Sequence, residues 1–380
     1  MRPVALLIVA ACGSRGSHGS RKVSVDALAG ERAAPNASVI GHAPDGTVID
    51  QTATDAVGRA EVGVDDDSLV SVIFAGVDTS IVTVPAQGEL AIHGPAHDTP
   101  PLIVGVLQVD GPPLPAASHF TVQLGCATVV APKLPADIDV GACSMGSDTQ
   151  LDVLVRGLDD ANAVVGYAAA RVAMTGGLAD LAIASWQTTT TNVPITLAGV
   201  APAIELALLC DGLPFQAPVL ADHAEVWTGL VVDATRMRAA IGSAQLTTRE
   251  QPGAPSSIAL GPDDFLPAIE LTTTLGESAF TWQPANLGDA VNLHATWSGP
   301  DDRRTTWDAV LPPDTGDVAL PAAQVEPITA GVDVALRYLD AGAYEDFAAL
   351  LAAGIHAEQL VGANPIVVGD QRVSQTIGVR

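Results

Sequence analysis

Glycine and proline, 36 and 27 of them, cut this chain into short runs in which apolar and polar residues alternate. An amphipathic helix needs apolar residues three and four apart over ten or more positions, whereas a half-buried strand needs them at every second position. In "RAEVGV", Ala60, Val62 and Val64 fall on one side and Arg59, Glu61 and Gly63 on the other. "ASVIGHA", "TVIDQTAT", "LVSVIF" and "SIVTVPA" are strand-like too, and the turns "PDG", "DAVG" and "DDDS" separate the first four of these five runs. Turn residues between short β runs are the mark of antiparallel sheets. The expectation is an all-β chain of tandem antiparallel β-sandwiches with one short helix near the C-terminus.

The same grammar divides the chain. A signal and flexible tether take residues 1–22, a first sandwich 23–98, a second sandwich 99–200, a third β-rich region 201–266, and a last sandwich 267–380. In the last unit "VNLHATW" sets Val291, Leu293, Ala295 and Trp297 on one face and Asn292, His294 and Thr296 on the other. The matching face of "TTWDAVL" is Trp307, Ala309 and Leu311. A hairpin centred on Asp302 would place Trp297 across from Trp307 and Leu293 across from Leu311, both tryptophans buried. A register half a step later would set Asp308 against Trp297, and burial opposes it. The helix is expected near 344–353, where Tyr344, Phe347, Leu350 and Leu351 have helical spacing and Gly354 can end it.

Within the first unit, "GHAPDGTVIDQTATDAVGRAEVGV" resembles the carboxypeptidase regulatory-like, or transthyretin-like, domain. Thr54, Asp55, Gly58 and Arg59 match its strand–turn–strand motif. In physical terms Asp55 can accept bonds from amides across the turn and Gly58 can take positive φ, so the motif carries structure and no chemistry. The tryptophan strands and Leu-Pro-Pro-Asp turn of the last unit resemble fibronectin-like domains of envelope lipoproteins from myxobacteria-type Gram-negatives. The opening "MRPVALLIVAACGSRG" has a positive Arg2 and an apolar segment from Val4 to Ala11, far short of the ~20 residues of a spanning helix. Its end, Val9-Ala10-Ala11-Cys12, resembles the bacterial lipobox. The resemblance implies lipid attachment at Cys12, a membrane partner through that anchor, and, since Gly13 and Ser14 are not the retaining aspartate, an outer-membrane location.

Acidic residues outnumber basic ones 43 to 17, for a net charge of −26, which argues against a nucleic-acid partner because phosphate binding needs basic patches. Arg15, Arg21 and Lys22 form the one basic cluster, placed by this reading in the tether. No histidine precedes a glutamate by three residues, so the zinc site of the metallocarboxypeptidases that carry such accessory domains is missing. His-Glu-x-x-His, Gly-x-Ser-x-Gly, Walker and Gly-x-Gly-x-x-Gly motifs are missing as well. His223 and His356 each open a His-Ala-Glu triplet without the Pro-Cys-x-x-Cys partner of the zinc deaminases. His93, His97 and Asp98 are the densest set of potential ligands but stand in a Gly/Pro segment, and Asp65, Asp66 and Asp67, or Asp263 and Asp264, match no defined calcium loop. Neither a metal nor another cofactor is expected, and no catalytic residue is assigned.

Once Cys12 is lipidated, Cys126, Cys143 and Cys210 remain, and a Cys126–Cys143 disulfide suits adjacent strands of one sandwich. Cys210, in "IELALLC", reads as a buried free thiol. The functional expectation is a non-enzymatic, lipid-anchored envelope protein presenting binding or structural modules to an unknown protein or glycan. One alternative is glycan binding through exposed Trp186, Trp227, Trp282, Trp297 or Trp307. The other is an enzyme whose site is assembled from distant residues.

Overall fold

A computed structural model describes residues 21–29, 32–76, 78–95, 105–124, 128–140, 149–210, 213–228, 231–269, 274–275, 279–285, 287–298, 303–321, 332–342, 344–353, 355–356 and 371–379. The chain is all-β, built of stacked sheets, with one short α-helix among the described residues. Among the described residues no helix is long and apolar enough to cross a membrane.

The first unit consists of β1 (Arg21–Ala29), β2 (Arg32–Ala33), β3 (Ser38–His42), β4 (Val48–Ala53), β5 (Arg59–Val64), β6 (Leu69–Ala75), β7 (Thr79–Pro85) and β8 (Glu89–Gly94). One layer holds β1 between β5, antiparallel, and β8, parallel. The facing layer runs β7-β6-β3-β4. β1 corrects the sequence reading: Arg21 and Lys22 belong to a strand, not to a tether, with Arg21 opposite Val64 and Lys22 bridging to Glu61 at 3.2 Å. "KVSVDAL" alternates as strictly as "RAEVGV" does, and Val23, Val25 and Ala27 are buried.

The turn from β4 to β5 shows why its residue types are needed. Asp55 Oδ1 accepts from the amides of Val57 and Arg59, both at 2.9 Å, and Gly58 adopts φ +80°. A Cβ at Gly58 would lie 2.5 Å from the Ala27 carbonyl oxygen. Thr54 Oγ1 accepts from the Ala37 amide at 2.9 Å and donates to the Ala34 carbonyl. The amide of Arg59, then that of Val57, holds the Asp55 carboxyl below the usual aspartate range. A depressed carboxyl stabilises the fold above its unfolded pKa and loses that contribution as pH falls through its folded pKa. Asp55→Ala should therefore lower the unfolding midpoint slightly at neutral pH, and the gap from wild type should close well below the ordinary aspartate range. A gap that persists in acid would show that the carboxylate bonds are not its source.

The units expected to be separate are joined edge to edge. β7 pairs in parallel with strand Arg304–Leu311, from Thr79 opposite Thr305 to Thr83 opposite Ala309. Strand Gln245–Pro252 pairs antiparallel with strand Gln371–Val379. One twelve-stranded sheet thus runs through material of the first, third and last units. Its middle is buried on both faces, as continuous apolar runs such as "LVSVIF" require. Val70, Val72 and Phe74 enter a core closed by β1, β5 and β8, to which Val310 and Leu339 of the last unit contribute. Leu69, Ile73 and Ile81 enter the opposite core with Trp297, Trp307 and Tyr338. That second core is roofed in part by a small sheet of strands Thr274–Leu275, Ala279–Thr281 and Asp317–Ala319.

A second sandwich follows in the chain. Strands His119–Leu124, Thr128–Ala131, Thr149–Leu158 and Val164–Met174 face Val106–Asp110, Ala136–Asp139 and Leu178–Ala182 around Leu107, Val122 and Leu151. Strand Thr190–Leu197, assigned above to this unit, pairs instead with His223–Trp227 and Ile258–Leu260 and packs in the third core. The helix α1 covers Phe347–Ala352, capped by Asp346, whose carboxylate accepts from Ala349 N–H at 2.8 Å. Phe347, Leu350 and Leu351 are its buried residues; Gly354 lies outside the described residues.

Candidate functional site

The joint between the first and last units gathers buried polar groups beside an open cleft. On the face of the twelve-stranded sheet that carries Trp307, His42, Ser71 and Thr83 sit on three successive strands, each fully buried. Trp307 Nε1–H donates to Thr83 Oγ1 at 2.9 Å. Thr83 Oγ1 and Ser71 Oγ are 2.7 Å apart, and Ser71 Oγ is 2.8 Å from His42 Nε2. His42 Nδ1 faces the Ala43 carbonyl at 2.9 Å.

The hydrogens of this chain follow from its ends. A carbonyl only accepts, so Nδ1 carries the proton of the neutral ring and Nε2 is an acceptor. Ser71 must then donate to His42, and Thr83 to Ser71. Trp307, which can only donate, supplies Thr83. Every donor has an acceptor, and the direction is set throughout. Burial lowers the pKa of His42, against smaller opposing effects of the Ala43 carbonyl and the Asp45 charge.

Next to this network a cleft of about 360 Å³ opens between the two units. Arg21, Asp67, Ser68 and Gln87 line it from the first unit, and Leu311, Pro312, Thr315 and Asp317 from the last. Arg21 is committed in part, since its guanidinium donates to the Ala86 carbonyl. The cleft wall is fixed where the β3–β4 turn docks on the small sheet, with Ala319 N–H donating to the Pro44 carbonyl at 3.2 Å.

A second polar cluster lies on the opposite face of the twelve-stranded sheet. His294 Nδ1 is 2.9 Å from Asp308 Oδ1, and its Nε2 is 3.3 Å from Thr296 Oγ1. This has the order of a carboxylate–imidazole–hydroxyl relay, but Thr296 is only 7% exposed and Asp308 2%. The groups hold one another across neighbouring strands. Arg337 lies near them; burial lowers its pKa, and Asp308 pulls it back up.

The residues singled out in the sequence are dispersed. Cys12, Cys126, Cys143, His97 and Asp98 lie outside the described residues. Cys210 ends strand Ala203–Cys210. His93 on β8 stands in parallel register with His356. His223 binds its neighbour Asp222 at 2.6 Å, which holds that carboxyl below its usual range. Asp264 accepts from Gly261 N–H at 2.6 Å and pairs with Arg249, so it braces a turn. Asp65 N–H is bonded by Ser68, and Asp67 takes φ +61° in the same turn. Among the described residues no three His, Cys, Asp or Glu side chains are grouped as a metal site.

The tryptophan platform is overturned. Trp227, Trp282, Trp297 and Trp307 are 5%, 6%, 1% and 0% exposed. Trp186, half-buried, stacks on Phe120 at 5.5 Å and donates to the Pro112 carbonyl at 2.8 Å. Trp297 and Trp307 share one buried face, as expected, but the hairpin register differs: Trp297 faces Thr305 and Trp307 faces Ala295. The two rings are diagonal neighbours. The joint itself was missed, although its signal was a lone hydroxyl inside each of two apolar runs, "LVSVIF" and "SIVTV".

No protein-family model matches the chain, and no curated protein does. Among solved structures the chain is similar to the Bacillus anthracis TIE protein, at 10% identity over 64% of this chain and 49% of that one, with a TM-score of 0.17. The chain thus spans about half the length of that structure. It is also similar to a central fibronectin-III array of RIM-binding protein, at 13% identity, 59% and 83% coverage and a TM-score of 0.16. A tetra-tandem repeat from the extending region of a large adhesion protein gives 13% identity, 94% and 99% coverage and a TM-score of 0.14.

Proposed function

We propose that this chain is a non-enzymatic envelope protein, held at the outer membrane by lipid on Cys12, that presents a fused set of β-sandwiches to a protein or glycan partner. The observation that carries the reading is the twelve-stranded sheet, which joins the first, third and last units by backbone pairing and takes Trp297 and Trp307 into one core. Polar side chains that could do chemistry, His294 with Asp308 and His42 with Ser71, are spent on one another inside the sheet. That is the economy of a scaffold. The lipobox-like end of the apolar segment supports the anchor.

The test is the fate of Cys12. Expressed in a Gram-negative host with an alkynyl fatty acid, the protein should take up the label and its mature form should begin at a lipid-modified Cys12. Cys12→Ser should lose the label entirely and leave the membrane fraction. Intact Met1 on the wild-type protein, or cleavage at another bond, would refute the anchor.

A further inference from the structure

We propose that His42 is an acid-sensitive latch across the joint between the first and last units: protonating its ring leaves an unmet donor in the buried hydrogen-bonded chain that ends on Trp307 and loosens the pairing of β7 with strand Arg304–Leu311. The four groups span β3, β6, β7 and the strand of the last unit, so the chain crosses the joint at the parallel ladder to β7.

The geometry leaves no room for another proton. A proton on Nε2 turns that nitrogen from acceptor to donor, so Ser71 must turn to accept from it and donate to Thr83 instead. Thr83 then receives bonds from Ser71 and from Trp307, and its own hydroxyl hydrogen loses its acceptor. Thr83 is fully buried, so no water can supply one. Relief requires an acceptor such as water, which reaches Thr83 only if the joint between β7 and strand Arg304–Leu311 opens. An unmet buried donor is a direct charge against the closed arrangement.

Charges around the ring do not rescue the protonated form. Asp45, in the turn after β3, is exposed and is the carboxylate whose field acts on the ring; its effect is smaller than that of burial. On β6, β7 and strand Arg304–Leu311 the residues sharing this face are uncharged, Asp308 being on the other face with His294. Asp67 and Asp317, from the turn before β6 and from the small sheet, stand exposed at the cleft. The sign follows: the ring is neutral in the closed joint, so the latch holds above the unfolded histidine pKa of ~6.5 and weakens as pH falls below it, toward the lowered folded value.

The experiment is a pH series from 8 to 5 on the full mature chain, reading amide exchange along Thr79–Thr83 and Thr305–Ala309, corrected for the intrinsic pH dependence of exchange. Wild type should lose protection there by up to tenfold per pH unit once below the ordinary histidine range. His42→Gln, which keeps an acceptor toward Ser71 but cannot be protonated, should hold its protection flat over the same series. His294 and the other histidines are common to both proteins, so their contributions cancel. Equal pH dependence in the two proteins would overturn the latch. Should His42→Gln not fold, ring ¹⁵N shifts of wild-type His42 decide the matter. One bare and one protonated nitrogen down to the onset of lost protection supports the latch, and a doubly protonated ring with the ladder still protected overturns it.

Discussion

Trp307→Ala should be the most damaging single truncation in the last unit, lowering the unfolding free energy by about 3–5 kcal/mol in urea titrations. The ring is fully buried in the core between the twelve-stranded sheet and its small roof, with Phe280 at 5.8 Å between ring centroids. Its removal leaves a cavity that strand pairing on both sides prevents from collapsing. The nearby Trp297 gives an internal comparison. It is 1% exposed in the same core, but among the described residues its Nε1 has no hydrogen-bond partner, whereas that of Trp307 donates to Thr83. Phenylalanine at either position removes the donor and some volume. At Trp297 it removes an N–H that is already unmet, so the cost should stay near 1 kcal/mol or below. At Trp307 it strips a partner from a buried hydroxyl, which adds about 1–3 kcal/mol. Equal losses for the two phenylalanine variants would show that the bond to Thr83 contributes nothing.

The same tryptophans show what alternation can and cannot specify. Period two decides which residues share a face, and moving the hairpin pairing by two positions leaves every face unchanged. The expected pairing of Trp297 with Trp307 and the observed pairing of Trp297 with Thr305 are related by that shift, so burial was legible and register was not. Register is set by the turn between the strands. Strands β3 to β7 were legible for the same reason, whereas β1, β2 and β8 were not read; the "KVSVDALA" of β1 follows a Gly/Ser-rich stretch that reads as tether. The joint was beyond local reading. β7 and strand Arg304–Leu311 meet across more than two hundred residues, and no turn or linker announces the contact. What the chain did show was indirect: β6 is apolar at every position but Ser71, and β7 from Ile81 to Pro85 at every position but Thr83, which one open face does not require. Ser71 and Thr83 interrupt those runs at positions that face the last unit's core, and a lone hydroxyl there implies a buried partner.

Gly41→Val should nearly match Trp307→Ala, for the opposite physical reason. Gly41 lies on β3 between Val70 of β6 and Asp50 of β4, and β5 in the facing layer crosses directly over it. A Cβ built there would press on the Gly63 carbonyl oxygen, well inside the 3.0 Å that such atoms keep, with the Val64 side chain at 3.1 Å. The obstacle is backbone, so no rotamer change relieves it. The layers would have to part where Gly63 N–H donates to Asp50 Oδ2 at 2.7 Å, the bond that ties β5 to the edge of the other sheet. Overpacking ordinarily costs about 1–3 kcal/mol, and loss of that bond to a carboxylate adds about 1.5–3 kcal/mol. Strand conformation is not the issue at Gly41, which does not have positive φ, and valine is a good strand residue. The control is Gly88→Ala: Gly88 has φ +53° and open space around its Cβ position, so only the backbone conformation is charged, at about 1 kcal/mol. Gly41→Ala should already exceed Gly88→Ala in its effect on the urea midpoint, and Gly41→Val should exceed both. If Gly41→Ala proved the milder of the two alanine variants, the two layers of the first sandwich would not meet at Gly41 and Gly63, and the close approach that lets Asp50 reach across to β5 would have to be abandoned.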